Sequence, residues 1–324
     1  MPDSADENDG WKLKTPAVIL AGAWNTGVNP LRDALVGGKQ KRIRTGSLPD
    51  FFLPRQFYKY TTTATVGEEK LTRVKVYAAR QRMYAQVYSN LYNNKSFKSP
   101  NNTQIAMDVS PGYLFYAGPT STAIQCVCPW AKTVVLLRHP VDRVYYQWVY
   151  AQRHFGLRLS LEDWMARELD AMESSGLISL KGGTTLSITR EEERQAWKTY
   201  QSKRNLAGAI GRSLYVLQLE EWFETLVAVG KDPKQEALII QSETLEAKPD
   251  QEYQRLMSFL GLPATTTPAS LGQDSHVEHA EMKKETRQLL QNFFAPYNQR
   301  LVSLLTQYGF TTNGDEWQEP LWKS

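Results

Sequence analysis

Several features that define common classes of protein are scarce or missing in this sequence of 324 residues. It contains only two cysteines and four histidines. Two cysteines cannot build a disulfide framework, and without further ligands nearby they do not form a zinc site. No apolar run reaches the roughly 18 residues that a membrane-spanning helix needs. The formal charge of +4 is small for a protein that coats nucleic acid, and it suits a local site for an anionic ligand.

The two cysteines, Cys126 and Cys128, lie two positions apart in the segment IQCVCPW. If this segment is extended, the two residues are about 6 to 7 Å apart along the strand, near the outer limit for a bridge. The spacing therefore favours two buried thiols over a mutual disulfide. The hydrophobic fraction of 41% is enough for a substantial core, and one large α/β domain can reach this length.

The most informative stretch is residues 131–150, which read AKTVVLLRHPVDRVYYQWVY. Its segment Thr133–Leu137 is apolar and β-branched, which is typical of a strand buried on both faces of a parallel sheet. Arg138 follows this strand, and Pro140 suits the first position of a helix. Because ligands bind beyond the carboxyl ends of strands in open α/β sheets, Arg138 suits a phosphate or sulfate. The alternative is a basic loop that caps the strand, with Arg138 paired to a carboxylate.

A second strand-loop-helix pattern lies near the start of the chain. Ala17–Ala21 (AVILA) predicts a buried strand, Gly22–Asn29 is a loop of small residues, and Pro30–Leu35 predicts the start of a helix. A strand, a glycine-containing turn and a helix N-terminus together can bind a phosphate through backbone N–H groups.

The remaining periodicity predicts an alternation of strands and helices without internal repeats. This pattern favours an α/β fold with a P-loop-like, mostly parallel central sheet and helices on both faces. Further strands are predicted at Gln104–Val109 and Ala237–Gln241, and helices at Leu71–Tyr92, Val141–His154, Leu161–Met172, Ser213–Ala228 and Met282–Leu305.

The segment after the central strand resembles a motif of the sulfotransferases that use the sulfate donor 3′-phosphoadenosine 5′-phosphosulfate (PAPS). The carbohydrate and heparan branch of this family has Arg-x-Pro-x-x-Arg followed by Tyr-Ser, and Arg138, Pro140, Arg143 and Tyr145 match it. The family's serine falls on Tyr146, which is a departure. The resemblance implies that Arg138 holds the 3′-phosphate of PAPS and that Tyr146 lines the nucleotide site.

Two later segments extend the resemblance, which covers residues 16–309. The helix predicted at Ser213–Ala228 is similar to the family's Gly-x-Tyr-x-x-Gln-Leu-x-x-Trp pattern, and the resemblance makes Tyr215 a second residue of the nucleotide site. The segment Ser242–Leu245 matches a turn that reads Ser/Tyr-Glu-Asp-Leu in the family.

The loop after the first strand matches the family only in part. The family loop reads Lys-x-Gly-Ser/Thr-Thr/Ser, and here Asn25 falls on the lysine, Thr26 and Gly27 on the next positions, and Val28 and Asn29 on the hydroxyl residues. The resemblance implies that these five residues hold the 5′-phosphosulfate through backbone N–H groups. Asn25 cannot neutralise charge as the lysine does. Four nearby basic residues either supply that cation or form a solvated turn: Lys39, Lys41, Arg42 and Arg44.

The general base of the family is also not matched. The family's Lys-Glu pair falls on Arg55 and Gln56, and a glutamine cannot act as a general base. Asp108 is the nearest alternative, because it precedes Ser110-Pro111-Gly112-Tyr113 as the acidic residue does in the family's Glu-x-Ser-Pro-x-Tyr-Leu. Asp108 therefore either acts on a substrate hydroxyl or caps the following turn.

The resemblance also carries expectations about domains, metal and location. We expect an acidic, disordered tail at 1–14, one sulfotransferase-like domain at 15–310 and a C-terminal tail at 311–324. His276 and His279 would share one helix face, as paired metal ligands do, but the family needs no metal and none is expected. Golgi members carry an N-terminal anchor, so the expected location is the cytoplasm, or the Golgi lumen if an anchor precedes this sequence.

The predicted function is therefore that of a sulfotransferase. It would move a sulfuryl group from PAPS to a hydroxyl or amine of a carbohydrate or small molecule and release the nucleotide 3′-phosphoadenosine 5′-phosphate (PAP). The alternative is a binding protein for PAP, PAPS or a sugar that keeps the fold without the chemistry, which the missing lysine and glutamate favour. A nucleotide kinase is disfavoured, because its Gly-x-x-x-x-Gly-Lys-Ser/Thr loop is absent. No nucleic-acid partner is expected.

Overall fold

The computed structural model describes most of the chain in two compact units. The described residues are 16–37, 43–45, 50–53, 84–85, 105–179, 188–203, 208–263, 266–271 and 282–310. Unit 1 comprises Met1–Leu137 and Glu221–Ser275, and unit 2 comprises Arg138–Glu220 and His276–Ser324. The expected tails at 1–14 and 311–324, and the two histidines of the predicted helix face, lie outside the described residues.

Unit 1 contains a five-stranded parallel sheet, which confirms the predicted α/β fold class. The order of the strands is β2-β3-β1-β4-β5, so the first of the described strands lies in the middle of the sheet. Each neighbouring pair is parallel. The strands are β1 (Val18–Leu20), β2 (Ile43–Thr45), β3 (Ile105–Val109), β4 (Lys132–Leu137) and β5 (Ala237–Gln241).

Helices of unit 1 connect and cover these strands. The core on one face of the sheet is formed by alternate strand residues such as Leu20, Val134 and Ile240 together with apolar residues of the covering helices. Burial of such side chains is the main favourable contribution to folding. Among the described residues, the helices that lie wholly in this unit are α1 (Val28–Gly37), α2 (Ala117–Val127), α7 (Pro233–Glu236), α8 (Ser242–Ala247) and α9 (Pro249–Phe259).

Unit 2 is helical in its described residues. The helix α6 (Tyr215–Ala228) contains one of the three positions at which the chain passes from one unit to the other. Within unit 2, Arg300 joins three helices, because its guanidinium lies 2.7 Å from one Glu193 carboxylate oxygen and 3.2 Å from a Glu220 oxygen. The other helices are α3 (Pro140–Phe155), α4 (Leu161–Glu173), α5 (Arg190–Lys203) and α10 (Lys284–Gln307).

Most predicted strands and helices are found within a few residues of their expected bounds, and the helix predicted at Leu71–Tyr92 lies outside the described residues except at 84–85. Three local expectations are wrong. Cys126 lies in helix α2 and not in an extended segment, and it is exposed, whereas Cys128 is a buried thiol. Ser242 begins a helix and not a simple turn. Arg44 lies in the edge strand β2 and not in a basic turn.

The sequence near helix α2 does not predict the helix, because the side chain that accepts a hydrogen bond from its first turn belongs to a distant residue. The Gly118 N–H in its first turn donates to the Glu221 carboxylate at 3.1 Å, and that residue is 103 positions later in the chain. A second hydrogen bond joins the Ser121 and Thr225 hydroxyls at 2.8 Å. Tertiary contacts therefore stabilise a segment whose own composition favours neither helix nor strand strongly.

Two further findings bear on the class of protein. Among the helices of the described ranges, none is both long and apolar enough for a membrane span. The same part of the chain contains no group of three or more His, Cys, Asp or Glu residues arranged to hold a metal ion.

The close approach of β1 and β4 predicts a strict requirement for glycine at position 22. A Cβ atom there would lie 2.9 Å from Val28 Cγ2 and 3.0 Å from the Leu136 backbone nitrogen. We expect Gly22→Ala to lower the free energy of unfolding by about 1 to 3 kcal/mol in urea denaturation followed by tryptophan fluorescence.

The control is Gly37→Ala at the end of α1, where a Cβ would have no neighbour within 4 Å. This substitution should change the free energy of unfolding by less than about 1 kcal/mol. Equal effects of the two substitutions would contradict the packing described here.

Candidate functional site

The loop after β1 is held along the end of β4 by backbone hydrogen bonds. The Ala21 N–H donates to the Val134 carbonyl at 2.9 Å, and the Ala23 N–H donates to the Leu136 carbonyl at 3.3 Å. The buried Thr26 hydroxyl donates to the Ala23 carbonyl at 2.7 Å, which closes the loop on itself. The loop is therefore a fixed part of the sheet's carboxyl edge.

Ser242 ties this loop to the last residue of β4. Its buried hydroxyl lies 2.7 Å from the Thr26 carbonyl oxygen and 2.9 Å from the Leu137 carbonyl oxygen, so the two acceptors share one proton. Leu137 is the residue directly before Arg138. In the sequence, Ser242 is recognisable only as part of a family-like segment, and no neighbouring residue indicates this contact.

The loop turns into helix α1 through two residues with left-handed backbone. Asn25 has a φ of 60° and Gly27 a φ of 83°, and asparagine and glycine are the residues that adopt this region most readily. Helix α1 begins at Val28, and the first N–H groups of a helix have no acceptor within the helix. These groups and the helix dipole favour an anion at this end.

Asn25 adds a side-chain donor to this end of the helix. Its amide nitrogen Nδ2 is buried, and no residue of the described part of the chain accepts a hydrogen bond from it. Leaving such a donor without an acceptor costs about 1 to 3 kcal/mol. An anionic oxygen of a ligand, such as a phosphosulfate oxygen, would accept a hydrogen bond from this Nδ2.

The side chains of the other predicted loop residues Thr26, Val28 and Asn29 contact residues of the protein itself. Val28 is buried in the core of unit 1, so only its backbone N–H is available to a ligand. Thr26 is fully buried, and its hydroxyl is engaged with the Ala23 carbonyl. The exposed Asn29 accepts from the Arg32 guanidinium at 3.1 Å.

Arg138 is a buried arginine whose backbone and side chain are both held within unit 2. Its carbonyl accepts from the Tyr215 hydroxyl at 2.9 Å, and its guanidinium carbon lies 4.7 Å from the centre of the Tyr146 ring. A cation over an aromatic face is stabilised by the ring quadrupole. The structure thus brings together three residues that the sequence analysis assigned to the nucleotide site: Arg138, Tyr146 and Tyr215.

The helix that follows Arg138 begins as predicted. His139 caps α3, because its Nδ1 accepts from the Val141 N–H at 3.2 Å, and Pro140 occupies the first helical position. Burial lowers the pKa of His139, while the nearby Asp142 carboxylate acts in the opposite direction. A neutral imidazole is the form that can accept this hydrogen bond.

Arg143, the second arginine of the family-like motif, is completely buried. Its Nε donates to the Ser213 hydroxyl at 2.6 Å, its Nη1 donates to Gln147 at 2.9 Å, and its Nη2 donates to the Ala209 carbonyl. Its contacts therefore brace the start of α3 and leave no exposed surface for a ligand.

Asp108 is enclosed at the end of β3 by hydroxyl donors. Tyr84 donates to one carboxylate oxygen at 2.6 Å, Tyr113 donates to the same oxygen at 2.9 Å, and Ser110 donates to the other at 2.6 Å. Burial raises the pKa of Asp108 to about 6, against the opposing effect of these hydrogen bonds. The geometry favours the turn-holding alternative over direct action on a substrate.

The remaining catalytic candidates fall outside the described residues. These are Gln56 and three of the four basic residues considered as a replacement cation. The fourth, Arg44, is on β2, and strand β3 separates it from β1.

Comparisons with known proteins show which family the chain belongs to. A family model described as "Sulfotransferase domain" matches residues 120–295, which is more than half of the chain. The chain therefore belongs to the sulfotransferase family, as the motifs around Arg138 predicted. A search of curated proteins finds no match.

Solved structures with a similar fold include a sulfotransferase from Alicyclobacillus acidocaldarius. The two are 18% identical, with a TM-score of 0.57 over 94% of this chain and 99% of that one. The sulfotransferase domain of the Synechococcus PCC 7002 olefin synthase matches with 13% identity and a TM-score of 0.40, covering 86% of this chain and 95% of that domain. The sulfotransferase domain from the curacin biosynthetic pathway matches with 13% identity and a TM-score of 0.34, covering 86% and 97%.

The raised pKa of Asp108 predicts a specific dependence of stability on pH. The folded protein binds the proton more tightly than the unfolded chain, so this carboxyl group makes folding less favourable as the pH rises from about 4 to about 6. Compared with an Asp108→Asn variant, the wild type should lose about 2 kcal/mol of unfolding free energy between pH 4 and pH 7.

The measurement is urea denaturation of both proteins across this pH range, with the exposed Asp170→Asn variant as a control for the loss of one carboxylate. A difference between the wild type and Asp108→Asn that stays constant with pH would show that the carboxyl group is not desolvated as described.

Proposed function

We propose that this protein transfers a sulfuryl group from PAPS to a hydroxyl or amine of a carbohydrate or small-molecule acceptor. The observation that supports it most is the loop after β1, which presents a helix N-terminus and an unsatisfied Asn25 amide at the carboxyl end of the sheet. Membership of the sulfotransferase family gives this anion site its expected ligand. Arg138, which directly follows strand β4 in the sequence, would supply a cation for a second phosphate.

The loop residues would hold the 5′-phosphosulfate end of the donor. The Asn25 Nδ2 and the backbone N–H groups of Gly27, Val28 and Asn29, at the start of α1, would donate to its oxygens. Prearranged donors of this kind stabilise charge that develops in a transition state. In the reaction, the bond from sulfur to the bridging phosphate oxygen breaks, a bond to the acceptor oxygen or nitrogen forms, and the acceptor loses its proton.

Arg138 would hold the 3′-phosphate of the same nucleotide. A guanidinium can donate two parallel hydrogen bonds to a phosphate, and the Tyr146 ring stabilises the charge of this one at 4.7 Å. Tyr215 has a supporting role in this proposal, because its hydroxyl is already bonded to the Arg138 carbonyl. PAP, the product that keeps both phosphates, should therefore bind well in the absence of an acceptor.

The second candidate function is binding without transfer. Asn25 replaces the lysine of the family loop, and the buried Val28 replaces a hydroxyl residue, so two groups that act on the leaving phosphate in the family have no counterpart at these positions. The same N–H groups would still bind PAP or PAPS. The two functions therefore agree on the nucleotide and differ in whether sulfate is transferred.

One pair of assays tests the nucleotide assignment and separates these functions. We expect wild-type protein to bind PAP in isothermal titration calorimetry and to transfer sulfate from PAPS within a panel of carbohydrate and small-molecule acceptors. Arg138→Ala should weaken PAP binding by at least about tenfold and reduce transfer, because a charged hydrogen-bonded contact is lost. Arg158→Ala, which removes an exposed arginine of the same unit, is the control.

Binding of PAP without transfer to any acceptor would favour the binding protein. Absence of PAP binding by the wild type would contradict both functions. Transfer that survives Arg138→Ala unchanged would remove Arg138 from the donor site.

A further inference from the structure

We propose that Glu168 is a positioning residue for Arg138, acting through the turn at residues 208–213 and through Arg143. The inference rests on the proposed role of Arg138 in binding the 3′-phosphate. Every contact in the argument lies within unit 2.

The Glu168 carboxylate is the centre of a buried hydrogen-bond network. It is only 2% exposed, and it accepts the Ala209 N–H at 2.7 Å on one oxygen. The other oxygen accepts the Gly211 N–H at 2.8 Å and the Tyr200 hydroxyl at 2.5 Å. Two backbone N–H groups of a tight turn are thus satisfied by a single side chain from helix α4.

Two glycines allow this turn to lie directly on the Glu168–Tyr200 pair. A Cβ at Gly208 would be 2.5 Å from the Tyr200 hydroxyl oxygen and 2.9 Å from a Glu168 oxygen. A Cβ at Gly211 would be 2.4 Å from a Tyr200 ring carbon. Any side chain at these positions would push the turn away from the carboxylate, so the turn and the pair are shaped for each other.

The opposite side of the same turn holds Arg143. The Ala209 carbonyl and the Ser213 hydroxyl both accept from its guanidinium, and the Ser213 hydroxyl also lies 3.3 Å from the Pro140 carbonyl. Burial lowers the pKa of Arg143, whereas the negative charge of Glu168 raises it and so favours the charged arginine. A buried charge that loses its compensating partner is strongly destabilising.

Arg143 in turn belongs to the segment that begins with Arg138. The Arg143 N–H donates to the His139 carbonyl at 2.9 Å and so closes the first turn of α3. Tyr215, which starts its helix directly after the turn and Leu214, donates to the Arg138 carbonyl. The turn therefore fixes Arg138 by two routes, through the start of α3 and through Tyr215.

A pair of nucleotides distinguishes positioning from general support of the fold. PAP and 5′-AMP differ by the 3′-phosphate that Arg138 is proposed to hold. If Glu168 acts through Arg138, its substitution lowers the affinity for PAP and leaves the affinity for 5′-AMP nearly unchanged. If Glu168 only stabilises the fold, both affinities change by the same factor.

The experiment uses the full chain with Glu168→Gln, Tyr200→Phe and a matched control, Glu193→Gln. Glutamine at 168 keeps one acceptor oxygen but places an NH₂ group where an N–H or a hydroxyl now donates. Glu193 is also a buried carboxylate of unit 2, but its partner is Arg300. The melting temperature of each protein is measured first, and dissociation constants follow from calorimetry well below it.

We expect the wild type to bind PAP at least about tenfold more tightly than 5′-AMP. Glu168→Gln should reduce this preference to about threefold or less, and Tyr200→Phe should reduce it by a smaller factor in the same direction, whereas Glu193→Gln should leave it within about twofold of the wild-type value. If Glu168→Gln does not fold, the preference of Tyr200→Phe for PAP over 5′-AMP is the test of the proposal.

The outcomes separate the inference from the function on which it rests. A wild type that does not prefer PAP to 5′-AMP contradicts the proposed role of Arg138. If the wild type prefers PAP to 5′-AMP and the variants at 168 and 200 keep this preference, only the role of Glu168 is overturned. The same holds if the variants lose affinity for both nucleotides by the same factor.

Discussion

The position of the loop after β1 depends most on the buried hydroxyl of Ser242, which lies within hydrogen-bonding distance of two carbonyl oxygens. This hydroxyl joins the loop after β1, at the Thr26 carbonyl, to the last carbonyl of β4. If these buried carbonyl groups had no hydrogen-bond donor, each would cost free energy comparable to a lost hydrogen bond. Through this contact, the loop that leads into α1 is fixed relative to the end of β4.

In unit 2, two buried arginines near the start of α3 need compensation for their charge. Arg138 and Arg143 are both buried arginines that lie within six residues of each other. Taking such groups out of water is costly unless hydrogen bonds and opposite charge compensate them. Arg143 obtains its compensation from the turn organised by Glu168, and Arg138 lies on the Tyr146 ring. Two basic residues of one short motif thus have different tasks, since Arg143 braces the segment and Arg138 is proposed to contact the ligand.

The parts of the fold that the sequence predicted are those with strong local signals. The apolar run before Arg138 and the proline at 140 defined β4 and α3 almost to the residue, because a β-branched apolar run and a proline at the first helical position are strong local signals. The left-handed turn at Asn25 and Gly27 was visible as a loop of small residues for the same reason. Family-like motifs then supplied the expectation of a nucleotide.

What the sequence did not reveal depends on contacts between distant residues. Helix α2 is completed by Glu221, and the loop after β1 is held by Ser242, 216 positions after Thr26. Glu168 looked like one polar residue of an amphipathic helix, and only the folded chain brings Ala209 and Gly211 to its carboxylate. Asp108 was identified as important, but its three hydroxyl donors could not be counted from the sequence.

The most direct test of the central claim is a crystal structure of the protein with PAP bound. The account predicts that the 5′-phosphate lies at the N-terminus of α1, accepts from backbone N–H groups of residues 27–29 and satisfies the Asn25 amide. A 5′-phosphate bound elsewhere on the molecule, with the Asn25 amide still lacking an acceptor, would contradict it.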